Sequence, residues 1–398
     1  MVLAHCLRRV VVAATCVAAV ASSAADPVAW RRAADRGSAF LAARQSADGG
    51  WRSDTYGNFR GGDAITPLVL VALDTATHPG PHAAGCRFLA ELADDAERID
   101  RLEYPVYTAA FAVQVCLRDE PSRRSAIRWA DVLRGQQLAA GLGWAETDPE
   151  FGGWGYATVE PRKPSPGAVR LPTLDPNLSA TTLAVTALRA GGARADDPAL
   201  RAALRFFERC QNFPRADAAA DPAFDDGGFC FAVGVADRSK AGSAGVDRHG
   251  RMRMRSYGSA TADGLRALLA CGLPADHPRV VAARAWLERH FAADVHPGAF
   301  PQERAVFRDG CFYYWCWSAA TTLEALGADR LPGSAGPLDW RRAVADALVT
   351  RQADDGSWQS AHGAVREDDP LVATPLALAA LRTCSNRTPR QNTAAPLR

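Results

Sequence analysis

Phe40-Leu-Ala-Ala-Arg-Gln45-Ser-Ala-Asp-Gly49-Gly50-Trp51 decides the fold, because it returns near the far end of the chain as Leu348-Val-Thr-Arg-Gln352-Ala-Asp-Asp-Gly356-Ser-Trp358. Shorter versions end at Gly152-Gly153-Trp154 and at Asp226-Gly227-Gly228-Phe229. The residue types fit one task. A glutamine at a helix end bonds free carbonyls, the glycines let the chain reverse through positive φ, and the aromatic packs against a neighbouring unit. One such match is weak; four in phase mark an internal repeat.

Working outward, an apolar phrase follows each turn. It reads Ile65-Thr-Pro-Leu-Val-Leu-Val-Ala-Leu73, Ala180-Thr-Thr-Leu-Ala-Val-Thr-Ala-Leu188, Ala260-Thr-Ala-Asp-Gly-Leu-Arg-Ala-Leu268 and Ala373-Thr-Pro-Leu-Ala-Leu-Ala-Ala-Leu381. Thr66, Thr181, Thr261 and Thr374 keep one register, and looser copies run over 107–115, with Thr108, and over 318–326. Helices apolar nearly all round line the inside of something. Amphipathic helices are expected before each copy, over 29–45, 80–93, 124–137, 197–212, 277–291 and 338–352. In the fourth, Leu200, Leu204 and Phe207 share a stripe; in the sixth, Trp340, Val344 and Leu348 do. Six outer and six inner helices in alternation predict an all-α protein, a single closed α6/α6 toroid; the alternative is an open solenoid.

The chain has 398 residues, 48% hydrophobic and 23% charged, with a formal net charge of +2. That is ample core material and no global field for nucleic acid. His5, Arg8 and Arg9 precede an apolar stretch over 10–21 and the small residues 22–25, the pattern of a cleaved signal peptide. Residues 1–25 are read as that signal, 28–383 as the toroid and 384–398 as a disordered tail, so the protein is expected outside the cytoplasm, periplasmic or secreted. No Cys-x-x-Cys pair occurs. Cys210 and Cys230 bracket one loop and are the pair placed to join, whereas Cys116 and Cys271 fall in apolar helical runs as buried thiols.

The phrases Gln45…Trp51 and Gln352…Trp358 resemble the glutamine–tryptophan repeats of the squalene–hopene cyclase and protein-prenyltransferase superfamily, over residues 28–383. The stretch from Gly227-Gly228 through Ser239-Lys240-Ala-Gly242 to Arg255-Ser-Tyr-Gly-Ser259 resembles exported bacterial repeat proteins common in planctomycetes. The resemblance implies one α6/α6 barrel and a cyclase- or mutase-like activity on isoprenoids, if any. The cyclases carry an acidic Asp-x-Asp-Asp motif, whose positions fall here on Asn177, Leu178, Ser179 and Ala180. Hydroxyl and amide groups are too weak as acids to protonate an alkene. Asp175, two residues earlier, is the substitute or else the start of a helix. The prenyltransferases hold zinc through an Asp-x-Cys-Tyr-x-x-Trp phrase, matched by Asp309-Gly-Cys311-Phe-Tyr-Tyr-Trp315, but the third ligand falls at Ala373. Two ligands rarely hold zinc, even with His362 nearby, so no metal and no cofactor is expected.

Asp263 stands in the fourth inner copy where the others are apolar, and a carboxylate there needs a partner or a task; Arg255 near the rim is the expected partner. Catalytic candidates are therefore Asp263, Asp175 and Asp309. Tyr104, Tyr107, Tyr314, Trp315 and Trp317 are candidates to line a ligand pocket. The run Arg248-His-Gly-Arg251-Met-Arg253-Met-Arg255 is read as a solvated loop, or as a phosphate or lipid-headgroup site. The leading expectation is an apolar central cavity for an isoprenoid or other lipid, with a peripheral membrane or protein partner. The competing ones are a protein-binding scaffold and a carbohydrate-active toroid, for which Asp263 and Asp309 are the nominated pair.

Overall fold

The computed structural model describes residues 26–214, 219–233, 238–333 and 336–385. The expected signal segment and the tail beyond residue 385 lie outside the described residues. The outer helices are α1 (Pro27–Ala42), α3 (Pro79–Asp94), α6 (Ser125–Gly135), α8 (Pro198–Cys210), α10 (Pro278–His290) and α13 (Trp340–Thr350). The inner helices are α2 (Ile65–Ala72), α5 (Pro105–Cys116), α7 (Leu178–Ala190), α9 (Gly258–Ala270), α12 (Phe312–Leu326) and α14 (Pro370–Ser385). Two short helices, α4 (Ala96–Ile99) and α11 (Ala305–Asp309), sit in connections. Pro27, Pro79, Pro105, Pro198, Pro278 and Pro370 each open a helix, where the missing N–H costs nothing.

Each inner helix packs on the next, α2 on α5, then α7, α9, α12 and α14, and α14 returns to α2. The ring is closed, which excludes an open solenoid. In α9 every residue from Gly258 to Leu268 is buried, while α8 buries Leu200, Ala203, Phe206, Phe207 and Cys210 and exposes Arg201 and Arg205. A helix enclosed on all sides must be apolar all round; one on the outside needs one stripe.

The repeated turns are the joints. Gln45 Nε2 donates to the carbonyls of Gly49 (2.8 Å) and of Pro81 on the next outer helix (2.7 Å). Gln137 does the same to Gly152 and Ala199, Gln211 to Gly227 and Arg279, and Gln352 to Gly356 and Ala33. The last of these locks the sixth hairpin to the first. The indole N–H groups of Trp51, Trp154 and Trp358 reach Leu41, Leu133 and Leu348. The register threonines serve the same joints: Thr66, Thr181, Thr261 and Thr374 Oγ1 accept from the backbone N–H of Trp51, Trp154, Phe229 and Trp358 at 2.9–3.1 Å. Gly356 has φ 89°, and a Cβ there would sit 2.6 Å from the Arg36 carbonyl oxygen of α1. Gly37 leaves room on α1 for the Trp358 ring, since a Cβ would stand 2.6 Å from it.

The second and fifth hairpins (α3–α5 and α10–α12) lack this turn, and they face each other across the ring. Phe111 of α5 meets Trp317 of α12 with ring centroids 6.0 Å apart. The lumen is thus crossed at mid-height, not open from end to end. The arginine run forms an antiparallel ribbon of β1 (Ser243–Val246) and β2 (Met252–Met254). Arg251 and Arg253 pair with Asp247, and Arg253 also with Asp225 at 2.7 Å, so this segment is a folded, ion-paired ribbon and not a solvated loop.

Candidate functional site

The amino-terminal ends of the inner helices form one mouth of the ring, above the Phe111–Trp317 contact. Tyr104 caps α5 and Tyr107 lies one turn into it. Tyr156 follows the second Gln–Trp turn and stacks parallel on Tyr107, centroids 5.7 Å apart, with the two hydroxyls 3.3 Å apart. Tyr314 of α12 lies 5.5 Å from Trp317. These four tyrosines are half-buried, and none of them lines either of the two clefts described below. Burial pushes the phenols of Tyr107 and Tyr314 well above the ordinary value, in Tyr314 with Asp263 adding to the effect, and both stay neutral.

Asp263 is fully buried beside these tyrosines. Its oxygens accept from Tyr314 (2.7 Å), Ser318 (2.5 Å), Ser179 (3.3 Å) and the Arg266 guanidinium (3.0 Å). The expected partner Arg255 instead donates to the Ser243 carbonyl. The partner found, Arg266, stands one turn along α9, where i,i+3 residues share a face, and lies 5.0 Å over the Trp317 ring. Asp263 therefore knots α7, α9 and α12 together, with both oxygens occupied as acceptors. Ser179, on the third of the four motif positions, touches this carboxylate from the neighbouring helix.

The other candidates separate. Asn177 caps α7 through Ala180 N–H, the place expected of Asp175. Asp175 is held by Arg170 (2.6 Å) and Arg238 (2.8 Å) on the wall of a 220 Å³ cleft. Asp309 pairs with Arg308 in a different cleft of 350 Å³, which His362 also lines. Asp263 lines neither cleft, so the nominated carboxylate pair is not brought together. Cys311 is buried, its thiol pushed up to about 12 by burial. Trp315 turns away from the mouth: it is fully buried, donates to the Ala292 carbonyl and stacks on His296 at 5.8 Å. Trp317 is the floor. Cys210 and Cys230 are brought together as free thiols, Cys230 Sγ donating to the Cys210 carbonyl at 3.3 Å.

Three groups escaped the sequence reading. Tyr156 had only its place after Trp154 to signal it. Glu367, 1% exposed, accepts from the amides of Tyr313 (2.9 Å) and Tyr314 (2.7 Å) at the start of α12, and burial pushes its carboxyl up to about 8. Arg366, at φ 68°, lies 4.6 Å from the Tyr56 ring and 5.8 Å from Tyr104, and bonds Asn58 Oδ1 at 2.6 Å. The signal for both was the charged run Arg366-Glu-Asp-Asp369 just ahead of the sixth inner phrase.

No family model matches the chain, and no curated protein matches it in sequence. The fold does match solved structures. The type II terpene cyclase MstE from Scytonema, an aspartate-to-asparagine variant in complex with geranylgeranyl dihydroxybenzoate, superposes with TM-score 0.52 at 13% identity over 90% of this chain and 97% of that one. An aspartate-to-alanine variant of the same enzyme with merosterolic acid A gives TM-score 0.53 at 14% identity over 90% and 98%. The GH76A α-1,6-mannanase from Salegentibacter sp. HEL1_6 gives TM-score 0.51 at 12% identity over 89% and 98%. At such identities these similarities establish the architecture, an α/α toroid common to terpene cyclases and mannanases.

Proposed function

We propose that this chain is an exported toroid of the cyclase and prenyltransferase type that takes an isoprenoid or similar lipid at its tyrosine-rich mouth without protonating it. The observation that carries this reading is the half-buried cluster of Tyr104, Tyr107, Tyr156 and Tyr314 over a Phe111–Trp317 floor. Aromatic faces of this kind suit polyene chains, and the terpene cyclase neighbours bind geranylgeranyl compounds. Three carboxylates near the mouth are otherwise engaged, whereas Asp63, its carboxyl pushed up by burial, keeps one buried oxygen without a hydrogen-bond partner among the described residues. Asp263 is surrounded by four donors, Asp368 accepts from Tyr56, and Glu367 is sealed beneath α12. Export rests on the basic, apolar and small-residue order of the first 25 residues, and the planctomycete-type grouping on the Gly227–Ser259 stretch. A mature amino terminus at Asp26 in secreted protein is the expected outcome for export.

A second reading, a protein-binding scaffold, is favoured by the same Phe111–Trp317 contact, which leaves no through-lumen for a long chain. Native mass spectrometry with geranylgeraniol or squalene separates the two. Lipid binding predicts one equivalent, weakened tenfold or more by Tyr107→Ala, and unchanged substrate on extraction. No binding by the wild-type chain favours the scaffold; recovery of a cyclised product overturns the non-protonating mouth.

A further inference from the structure

Outside the mouth, one cluster of metal-ligating side chains has no task in the ring. His82 and Cys86 occupy successive turns of one face of α3, with His82 Nδ1 3.5 Å from Cys86 Sγ. Asp119 comes from the segment after α5, where it caps the single turn Glu120–Ser122 through Ser122 N–H at 3.1 Å. One donor atom from each of the three lies within 4.8 Å of the others, the only such set among the described residues. His82 is 7% and Cys86 1% exposed. Cys116, fully buried at the end of α5, is close enough to add to the upward push on the Cys86 thiol.

We infer that His82, Cys86 and Asp119 form a site for a divalent cation of the zinc class, with water as fourth ligand. The donor chemistry selects the ion: one imidazole, one thiolate and one carboxylate are borderline-soft ligands suited to tetrahedral zinc and unsuited to calcium or magnesium. The charges also balance, because a thiolate and a carboxylate together neutralise a divalent cation in a dry site. Burial holds the His82 imidazole below its usual pKa, leaving it neutral with a lone pair to give. Burial also keeps the Cys86 thiol protonated up to about 12, so metal entry displaces that proton to solvent as the sulfur–metal bond forms. The position gives the site a purpose. It lies between α3 and the segment leading into α6, at the second hairpin, where no glutamine crosses to the next outer helix. Pro81, beside His82, is already fixed by the Gln45 amide, so α3 presents its two ligands from a held start. A cation here supplies the tie that the Gln–Trp turn supplies elsewhere.

The test uses the full chain, dialysed against chelator and titrated with cobalt(II) and then zinc(II) alone. Expected are one equivalent of cobalt with a sulfur-to-cobalt charge-transfer band, its displacement by zinc, and a higher melting temperature with either ion. Cys86→Ser abolishes the band. Asp119→Asn, which keeps an acceptor for Ser122 N–H and so preserves the local turn, weakens binding at least tenfold. Cys311→Ser, remote from the cluster, leaves binding unchanged. The inference is overturned if the wild-type chain takes up no ion, if the band survives Cys86→Ser, or if peptide mapping finds Cys86 and Cys116 joined as a disulfide.

Discussion

Four hairpins of the ring are tied to the next by the Gln–Trp turn, and two, diametrically opposed, are not. The tied joints centre on neutral groups, an amide, an indole, a threonine hydroxyl and a glycine that admits the neighbouring carbonyl, with charged side chains such as Arg36 and Arg279 bonding around them. At the second and fifth hairpins ionisable groups take over. Glu367 caps α12, the His296 ring accepts from Ser259 N–H at 3.0 Å, Asp263 gathers α7, α9 and α12, and His82, Cys86 and Asp119 cluster beside α3. The same two hairpins bring Phe111 and Trp317 together across the centre. Neutral clamps sit at the centre of the tied joints, and ionisable groups, some of them from the tied fourth and sixth hairpins, gather around α12 and α3 where the repeat is interrupted.

The comparison breaks most readily at a glycine. Gly356→Ala forces a left-handed φ on alanine and drives its methyl into the Arg36 carbonyl, so a loss of about 3 kcal/mol or more is expected in chemical denaturation. Gly57→Ala, where a Cβ meets nothing within 4 Å, should stay within about 0.5 kcal/mol. If the two cost the same, the turns are not clamps.

The ionisable joints should make stability depend on pH in a way the neutral ones cannot. Burial lowers the His296 pKa to about 3 from an ordinary 6.5, so the unfolded chain takes up a proton first and stability is lost as pH falls from 6.5 toward 3. Burial raises Glu367 to about 8 from 4.5, so the folded chain keeps a proton the unfolded one has released, and stability is lost as pH rises from 4.5 to 8. Each contributes a slope of about 1.4 kcal/mol per pH unit within its own window. The two cancel between roughly 4.5 and 6.5, leaving a decline on either side. Glu367→Gln should remove the decline between 6.5 and 8; a decline of the same steepness in that variant contradicts the assignment.

The smallest effect lies at the register threonines. Thr374→Val removes the acceptor for Trp358 N–H and should cost about 1–2 kcal/mol in thermal or chemical unfolding. Thr108, in register but without a Gln–Trp turn to serve, has a buried hydroxyl with no partner. Thr108→Val should be neutral or stabilising by up to about 1 kcal/mol. Equal losses at the two positions erase the distinction between tied and untied hairpins.

The ring was readable from the chain because the first and last clamps are local: in 45–51 and 352–358 glutamine, glycine and aromatic lie within seven residues, and the threonine heads the next helix, whereas Gln137 and Gln211 stand far ahead of Trp154 and Phe229. The mouth was readable only in part. Tyr104, Tyr107, Tyr314 and Trp317 gather there, but Trp315, two residues from Trp317, points the opposite way because two residues turn a helix by about 200°. The Asp263–Arg266 pair was legible at i,i+3, yet the distant Arg255 drew attention instead. Glu367 and Tyr156 meet their partners across dozens of residues, and nothing in their local spacing announces it. The capping of α7 by Asn177 and not Asp175 turned on a two-residue offset, within the uncertainty of any helix boundary.

Ring closure is tested most directly by hydrogen exchange with mass spectrometry on Gly356→Ala. In a closed ring the sixth joint holds the first hairpin, through Gln352 to Ala33, so exchange should quicken in α1 and α2 as well as in α13 and α14. Faster exchange confined to α13 and α14, with 27–72 as protected as in the wild-type chain, would contradict a ring whose ends meet.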